Sequence, residues 1–151
     1  MKIAIGADHA GFELKQKIKQ RLLAEGHQVE DKGTNSGESV DYPDYARVVG
    51  EEVAARKADF GVLVCGSGIG MCIAANKVPG VRAAHVTNLY EAQVSREHND
   101  ANVVTVGARV LDEATALQAI ETFLHTSFAG GRHERRVQKI MAIERQETQA
   151  R

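Results

Sequence analysis

The chain has 151 residues, 43% of them hydrophobic and 26% charged, with 19 Lys+Arg against 20 Asp+Glu and a formal net charge of −1. A chain this long is expected to form one domain that buries about 70% of the surface its unfolded form exposes, and the even charge offers no broad basic face for nucleic acid or an anionic membrane. No apolar run reaches the ~18 residues of a membrane span, and the start MKIAIGADHAGF turns polar too soon for a secretory signal, so a cytoplasmic protein with two free thiols, Cys65 and Cys72, is expected.

Short β-branched runs alternate with longer stretches of helical spacing, the pattern of repeated βαβ units on a parallel sheet. Strands are predicted over Lys2–Ala7, Gln28–Lys32, Phe60–Cys65, Val81–Val86 and Val103–Gly107. KIAIG, FGVLVC and VVTVG are almost continuously apolar, as strands covered on both faces must be. Leu14, Ile18 and Leu22 recur among lysines and mark an amphipathic helix ending near Gly26, and Tyr45, Val49 and Val53 repeat that spacing after Pro43. Helices are further predicted over 68–76, 88–98 and 112–127. Gly130-Gly131 then breaks the chain before a last helix carrying Val137, Ile140 and Met141 on one face and Arg132, Arg135 and Arg136 at its start. The expected fold is a three-layer α/β/α Rossmann-like sandwich on a five-stranded parallel sheet. It forms a single domain over 1–151, with a helical tail from about 131 that is free to dock elsewhere.

Ligands of open α/β sheets bind beyond the carboxyl ends of the strands. Asp8 and His9 follow the first strand, Cys65 and the turn GSGIG (66–70) follow the third, and Arg109 follows the fifth. Alternate glycines at a strand-to-helix turn expose amide N–H groups to an oxyanion or phosphate, and Ser67 adds a hydroxyl. Cys65, ahead of that helix start, is either a nucleophilic or basic thiol with a lowered pKa or a buried strand end beside a packing turn. The turn lacks the third glycine of a dinucleotide fingerprint, where Met71 stands, and the Gly-Lys-Ser/Thr ending of a nucleotide phosphate loop. Asp8 and His9 form either a ligand-binding pair or a local turn. His98 closes a helix at the amino edge of the sheet, as a cap or as a residue serving a neighbouring subunit. Arg132 and Arg136, four apart, share a helix face as a phosphate clamp or a solvated basic strip. Cys72 and Met71 are expected in the core. His27, His85, His125 and His133 form no spaced ligand cluster, so neither metal nor cofactor is expected.

Taken together, GADHAGFELK, DKGT (31–34), DYPDYA (41–46), VCGSGIGMCIAANKVPGVRAA (64–84), SREHNDANV (95–103), GARV (107–110) and GGRHERRV (130–137) resemble the type B ribose-5-phosphate isomerases over nearly the whole chain. The wider family includes allose-6-phosphate and galactose-6-phosphate isomerases. The resemblance implies metal-independent interconversion of D-ribose 5-phosphate and D-ribulose 5-phosphate through an enediolate, a step of the pentose phosphate pathway. It implies Cys65 as the base, with Ser67 and the amides of Gly66, Ser67, Gly68, Ile69 and Gly70 stabilising the enediolate. It further implies that His98 assists sugar-ring opening with Asp8 opposite, that Asn99 and Tyr42 contact the sugar, and that His9, Arg109, Arg132 and Arg136 hold the phosphate. Some members have threonine at the place of Ser67, which keeps the hydroxyl. Another branch has a glutamate base at the place of Met71, so Cys65 has no visible substitute here. The family builds each site from two subunits, which implies a homodimer or a dimer of dimers in which the C-terminal helix extends to a partner subunit. Two other readings stay open, the same chemistry on a six-carbon aldose 6-phosphate and a catalytically silent sugar-phosphate-binding protein.

The neutral total conceals an uneven distribution: residues 1–129 carry 13 Lys+Arg and 17 Asp+Glu, and residues 130–151 carry 6 and 3. The basic excess therefore sits in the tail, with the two arginines assigned to the phosphate.

Overall fold

The computed structural model describes residues 1–150. The apolar runs form β1 (Lys2–Ala7), β2 (Gln28–Asp31), β3 (Phe60–Cys65), β4 (Ala83–His85) and β5 (Val103–Gly107). Between them lie α1 (Phe12–Ala24), α2 (Tyr42–Ala54), α3 (Ile69–Ala75) and α4 (Leu89–Glu97), followed after β5 by α5 (Glu113–His125) and α6 (Arg132–Ala150). All strand pairs are parallel and the sheet order is β2-β1-β3-β5-β4. The expected α/β sandwich is thus the observed one. β4 is shorter than predicted because Val81 closes a turn onto the Val78 carbonyl (3.1 Å) and the Arg82 N–H donates to Asn102 Oδ1 (2.8 Å) instead of a strand partner.

Successive strand residues face opposite layers, and this alternation makes two cores. Ile3, Ile5, Val62, Val64, Val104 and Val106 pack against Leu14, Ile18 and Leu22 of α1, Ala92 of α4 and Phe123 of α5. Ala4, Leu63 and Cys65 pack against Val49 and Val53 of α2 and Met71 and Ala75 of α3. The sixth helix buries only Val137 in the chain's own core. It runs past the β4 edge, where Arg82 donates to Met141 Sδ (3.4 Å) and the Gly80 N–H donates to the Glu144 carboxylate (3.1 Å).

Two residues depart from the sequence reading. Lys15, one of the lysines on the polar side of α1, is fully buried, with Nζ 2.6 Å from Asp31 Oδ1. Asp31 also receives Lys19 Nζ at 3.2 Å and the Gly33 N–H at 2.9 Å. Cys72, expected in the core, is half-buried at the β4 edge, its Sγ donating to the Ala83 carbonyl at 3.5 Å. Met71, by contrast, is wholly buried.

The Lys15–Asp31 pair ties α1 to the end of β2 and, through Gly33, to β1, where the Ala7 N–H donates to the Gly33 carbonyl at 2.7 Å. Burial raises the Asp31 pKa, but the hydrogen bonds from Lys15 and Gly33 and the charge of Lys15 outweigh it and hold the carboxyl below its ordinary value. The stability this supplies is present above the unfolded carboxylate pKa and is lost as pH falls through the lower native one. Replacing Lys15→Met leaves a largely buried carboxylate without its closest cation, and denaturant unfolding at neutral pH is expected to show a loss of about 3 kcal/mol. The variant's stability should also fall less steeply on acidification than that of the parent.

Candidate active site

The chain leaves β1 for β2 on one side and returns to β3 on the other, so the carboxyl ends of β1 and β3 border a crevice. Strand register brings three predicted site segments together there. Ala7 pairs with Val64 and Cys65 with Gly107, and the Asp8 N–H donates to the Val64 carbonyl at 3.2 Å. The Ala108 and Arg109 N–H groups donate to the carbonyls of Cys65 (2.8 Å) and Gly66 (3.0 Å), so the loop after β5 lies along the glycine turn.

Cys65 is buried, only 4% exposed, with the Gly68 N–H directed at its Sγ at 3.2 Å. This contact requires Gly68 at φ 82°, in the left-handed region, where an added Cβ would lie 2.7 Å from His85 Nδ1 and 2.8 Å from the Val106 carbonyl carbon. Ser67 Oγ accepts the Ile69 N–H at 3.1 Å. Of the turn's amides, those of 68 and 69 are therefore engaged locally. Tyr42, at the start of α2, lays its ring over Gly70, where a Cβ would meet Cε1 at 2.5 Å, and the Arg109 guanidinium lies against Gly66 in the same way, at 3.2 Å.

Of the two roles the sequence leaves open for Asp8 and His9, the structure shows the local one. Asp8 Oδ1 accepts the Gly11 N–H at 3.0 Å, closing the turn into α1. His9 Nδ1 accepts the Val40 N–H at 3.1 Å, so in the neutral ring the proton sits on Nε2. Gly11 lets this turn press against β3, since a Cβ there would lie 2.3 Å from the Val64 carbonyl oxygen.

The other predicted residues lie elsewhere. His98 caps α4, its N–H donating to the Val94 carbonyl at 2.8 Å, and so sits at the amino edge, a strand's length of roughly 17 Å from the Cys65 end. Asn99 follows it. The chain before α6 meets it there, with the Ala129 N–H 3.0 Å from the Glu97 carbonyl and the His133 ring stacked on His98 at 4.2 Å. Arg132 and Arg136 flank that stack on α6. The predicted site residues thus fall into two groups at opposite edges of the sheet: Asp8, His9, Tyr42, Cys65, Ser67 and Arg109 at one, and His98, Asn99, Arg132 and Arg136 at the other. The arginine ion pairs among the described residues belong to Arg21, Arg47, Arg82 and Arg96, which leaves Arg109, Arg132 and Arg136 without one among those residues.

Three supports were not read from the sequence. Thr105, fully buried in β5, donates Oγ1 to the Gly68 carbonyl at 2.8 Å and so holds the turn that faces Cys65; a hydroxyl inside the apolar run VVTVG was the available signal. His85 Nδ1 lies 3.5 Å from the same Oγ1. Asp100, left-handed at φ 47°, is gripped by Arg96 (2.9 Å) and Arg82 (3.3 Å), which fixes the turn after His98-Asn99. Arg96 in turn stacks over Phe60 and Phe123, 4.7 and 5.7 Å from the ring centroids.

A thiol, a hydroxyl and a glycine turn at the switch point, with arginines at both sheet edges that make no ion pair among the described residues, suit an α/β protein to a small anionic substrate. Residues 3–140 match the Ribose/Galactose Isomerase family, and the chain belongs to it. It is 48% identical to ribose-5-phosphate isomerase B of Escherichia coli (strain K12) over 143 residues, 95% of this chain and 96% of that protein. Among solved structures, ribose-5-phosphate isomerase B of Clostridium thermocellum superposes with a TM-score of 0.96 at 50% identity, covering 97% of this chain and 99% of that one. The Mycoplasma genitalium enzyme with bound ribulose-5-phosphate superposes with a TM-score of 0.93 at 39% identity, covering 95% and 96%.

Thr105→Val removes the donor to the buried Gly68 carbonyl without changing side-chain shape. It should lower unfolding free energy by about 1–3 kcal/mol in denaturant titration. With the turn released, alkylation of Cys65 by iodoacetamide should be faster than in the parent, and Thr105→Ser should restore both values.

Proposed function

We propose that the protein interconverts D-ribose 5-phosphate and D-ribulose 5-phosphate by proton transfer through an enediolate. The observation that carries this reading is Cys65 Sγ held under the Gly68 N–H at the β1/β3 switch point, beside the Ser67 hydroxyl. With the sugar in its open form, the Cys65 thiolate removes the C2 proton of the aldose. The electron pair forms the C1–C2 double bond, and negative charge moves onto O1, where the Ser67 hydroxyl and the turn's amides other than those of 68 and 69 supply donors. Sγ returns the proton to C1, while the O2 hydroxyl proton passes to O1 and leaves the ketone at C2. No step requires a metal. Dialysis against a chelator is therefore expected to leave turnover unchanged.

The phosphate takes no part in bond changes, and its binding orients the carbons over Cys65. His9, through Nε2–H, and Arg109 stand at this edge, and Arg132 and Arg136 stand at the other. We assign all four to one phosphate, which requires that the amino edge of a second copy meet the carboxyl edge of the first. In that homodimer His98 and Asn99 of one subunit reach the sugar beside Asp8 and Tyr42 of its partner, His98 assisting ring opening. The exposure of Ile69 (53%), Ile73 (59%) and Ile143 (61%), apolar side chains left in water by the single chain, supports an association of copies. Among the described residues no helix is long and apolar enough to cross a membrane, consistent with action on a diffusible sugar phosphate.

Cys65→Ala should lower kcat by at least about a hundredfold while isothermal titration still detects sugar-phosphate binding; near-normal turnover would refute the base assignment. Steady-state rates on ribose 5-phosphate against allose 6-phosphate test the substrate length. Mixing inactive Cys65→Ala and His98→Ala homodimers under exchange should restore about a quarter of parental activity, since one site of each hybrid carries both defects and the other neither. Sites confined to single chains would give none.

A further inference from the structure

We propose that His133 is a positioning residue for His98, its ring setting the plane in which the His98 imidazole meets the sugar. The proposal rests on the reading of His98 as the group that assists ring opening.

The two rings are stacked, with centroids 4.2 Å apart and planes 12° from parallel. The ring hydrogen bonds made by histidines among the described residues belong to His9, His27, His85 and His125. His98 and His133 make no such bond among those residues, so their mutual stacking is the specific contact that orients the His98 ring and leaves both its nitrogens free for substrate. The backbone is arranged to deliver the contact. Gly130 and Gly131, at φ 67° and 55°, turn the chain sharply, and the Ala129 N–H bonds the Glu97 carbonyl at 3.0 Å, placing the first turn of α6 over the last residue of α4. On the other side of His98, the grip of Arg82 and Arg96 on Asp100 fixes the following turn.

The charges favour the same division of labour. Loss of hydration first, then the positive charges of His98, Arg132 and Arg136, hold the His133 pKa below the ordinary imidazole value, with Glu97 opposing. A His133 ring held neutral in this way presents a π-face to His98 rather than a second positive charge. Opening of the furanose breaks the C1–O4 bond and forms the C1–O1 double bond, with the O1 proton lost and a proton gained at O4. His98 exchanges protons in this step, and His133 exchanges none.

Ribulose 5-phosphate separates this role from a merely structural one. Its O5 carries the phosphate, so it cannot close a furanose, and exchange of its C1 proton with deuterium oxide needs Cys65 but no ring opening. His133→Ala should lower kcat for ribose 5-phosphate by about tenfold with KM changed by less than about twofold, while C1 exchange stays within about twofold of the parent. Retained exchange also reports an intact fold. His133→Phe, which keeps a stacking ring and removes the titrating group, should restore most of the lost kcat. The proposal is overturned if His133→Ala leaves kcat within about twofold, if it lowers kcat and exchange alike, or if His133→Phe behaves as His133→Ala. His98→Ala run in parallel separates the two claims: equal loss in both assays refutes the ring-opening reading, whereas a selective loss there with none in His133→Ala refutes His133 alone.

Discussion

All five strands run the same way, and everything chemical in this chain follows from that. A parallel sheet sends every strand-to-helix turn to one edge and every helix-to-strand turn to the other. Asp8, Cys65 and Arg109 are distant in sequence but become neighbours because Ala7 pairs with Val64 and Cys65 with Gly107. The same rule carries His98 to the opposite edge, since it ends the helix that leads into β5. The division of the predicted site into two halves is a property of the topology rather than of any local packing choice.

The carboxyl edge is built to tolerances set by backbone rather than side chains. Gly11 rests on the Val64 carbonyl, Gly68 fits beneath His85 and Val106, and Gly70 lies under Tyr42. Behind these contacts stand polar supports with no access to substrate, Thr105 beneath the glycine turn and Lys15–Asp31 beneath the loop from β2. Each fixes a main-chain segment by satisfying a buried group that would otherwise be costly to desolvate.

The strands, their parallel arrangement and the switch-point candidates were legible because apolar runs and helical spacing report burial directly, and because CGSGIG can form few local structures. Strand order was not legible, since pairing between β3 and β5 depends on contacts more than forty residues apart. Lys15 looked like a solvated lysine because its partner, Asp31, is sixteen residues away on another element. Cys72 looked like core because MCIAA is apolar throughout, whereas the half-exposure of its face depends on how α3 sits beside the short β4. His133 was dismissed as a metal ligand, which said nothing of a stack created only when the Gly130-Gly131 turn folds α6 over α4.

The turn after His98-Asn99 is locked by Asp100 between two arginines, one of them stacked on Phe60 and Phe123. The glycine turn at the other edge is locked by Thr105. Both surfaces are therefore ordered before they meet anything. If two such faces associate as proposed, little side-chain or loop entropy would be lost, and the unfavourable part of the free energy would reduce mainly to rigid-body freedom. In the proposed homodimer a catalytic centre shared between chains would be vulnerable to induced disorder at its seam, and stiffening each half from within its own chain would remove that vulnerability.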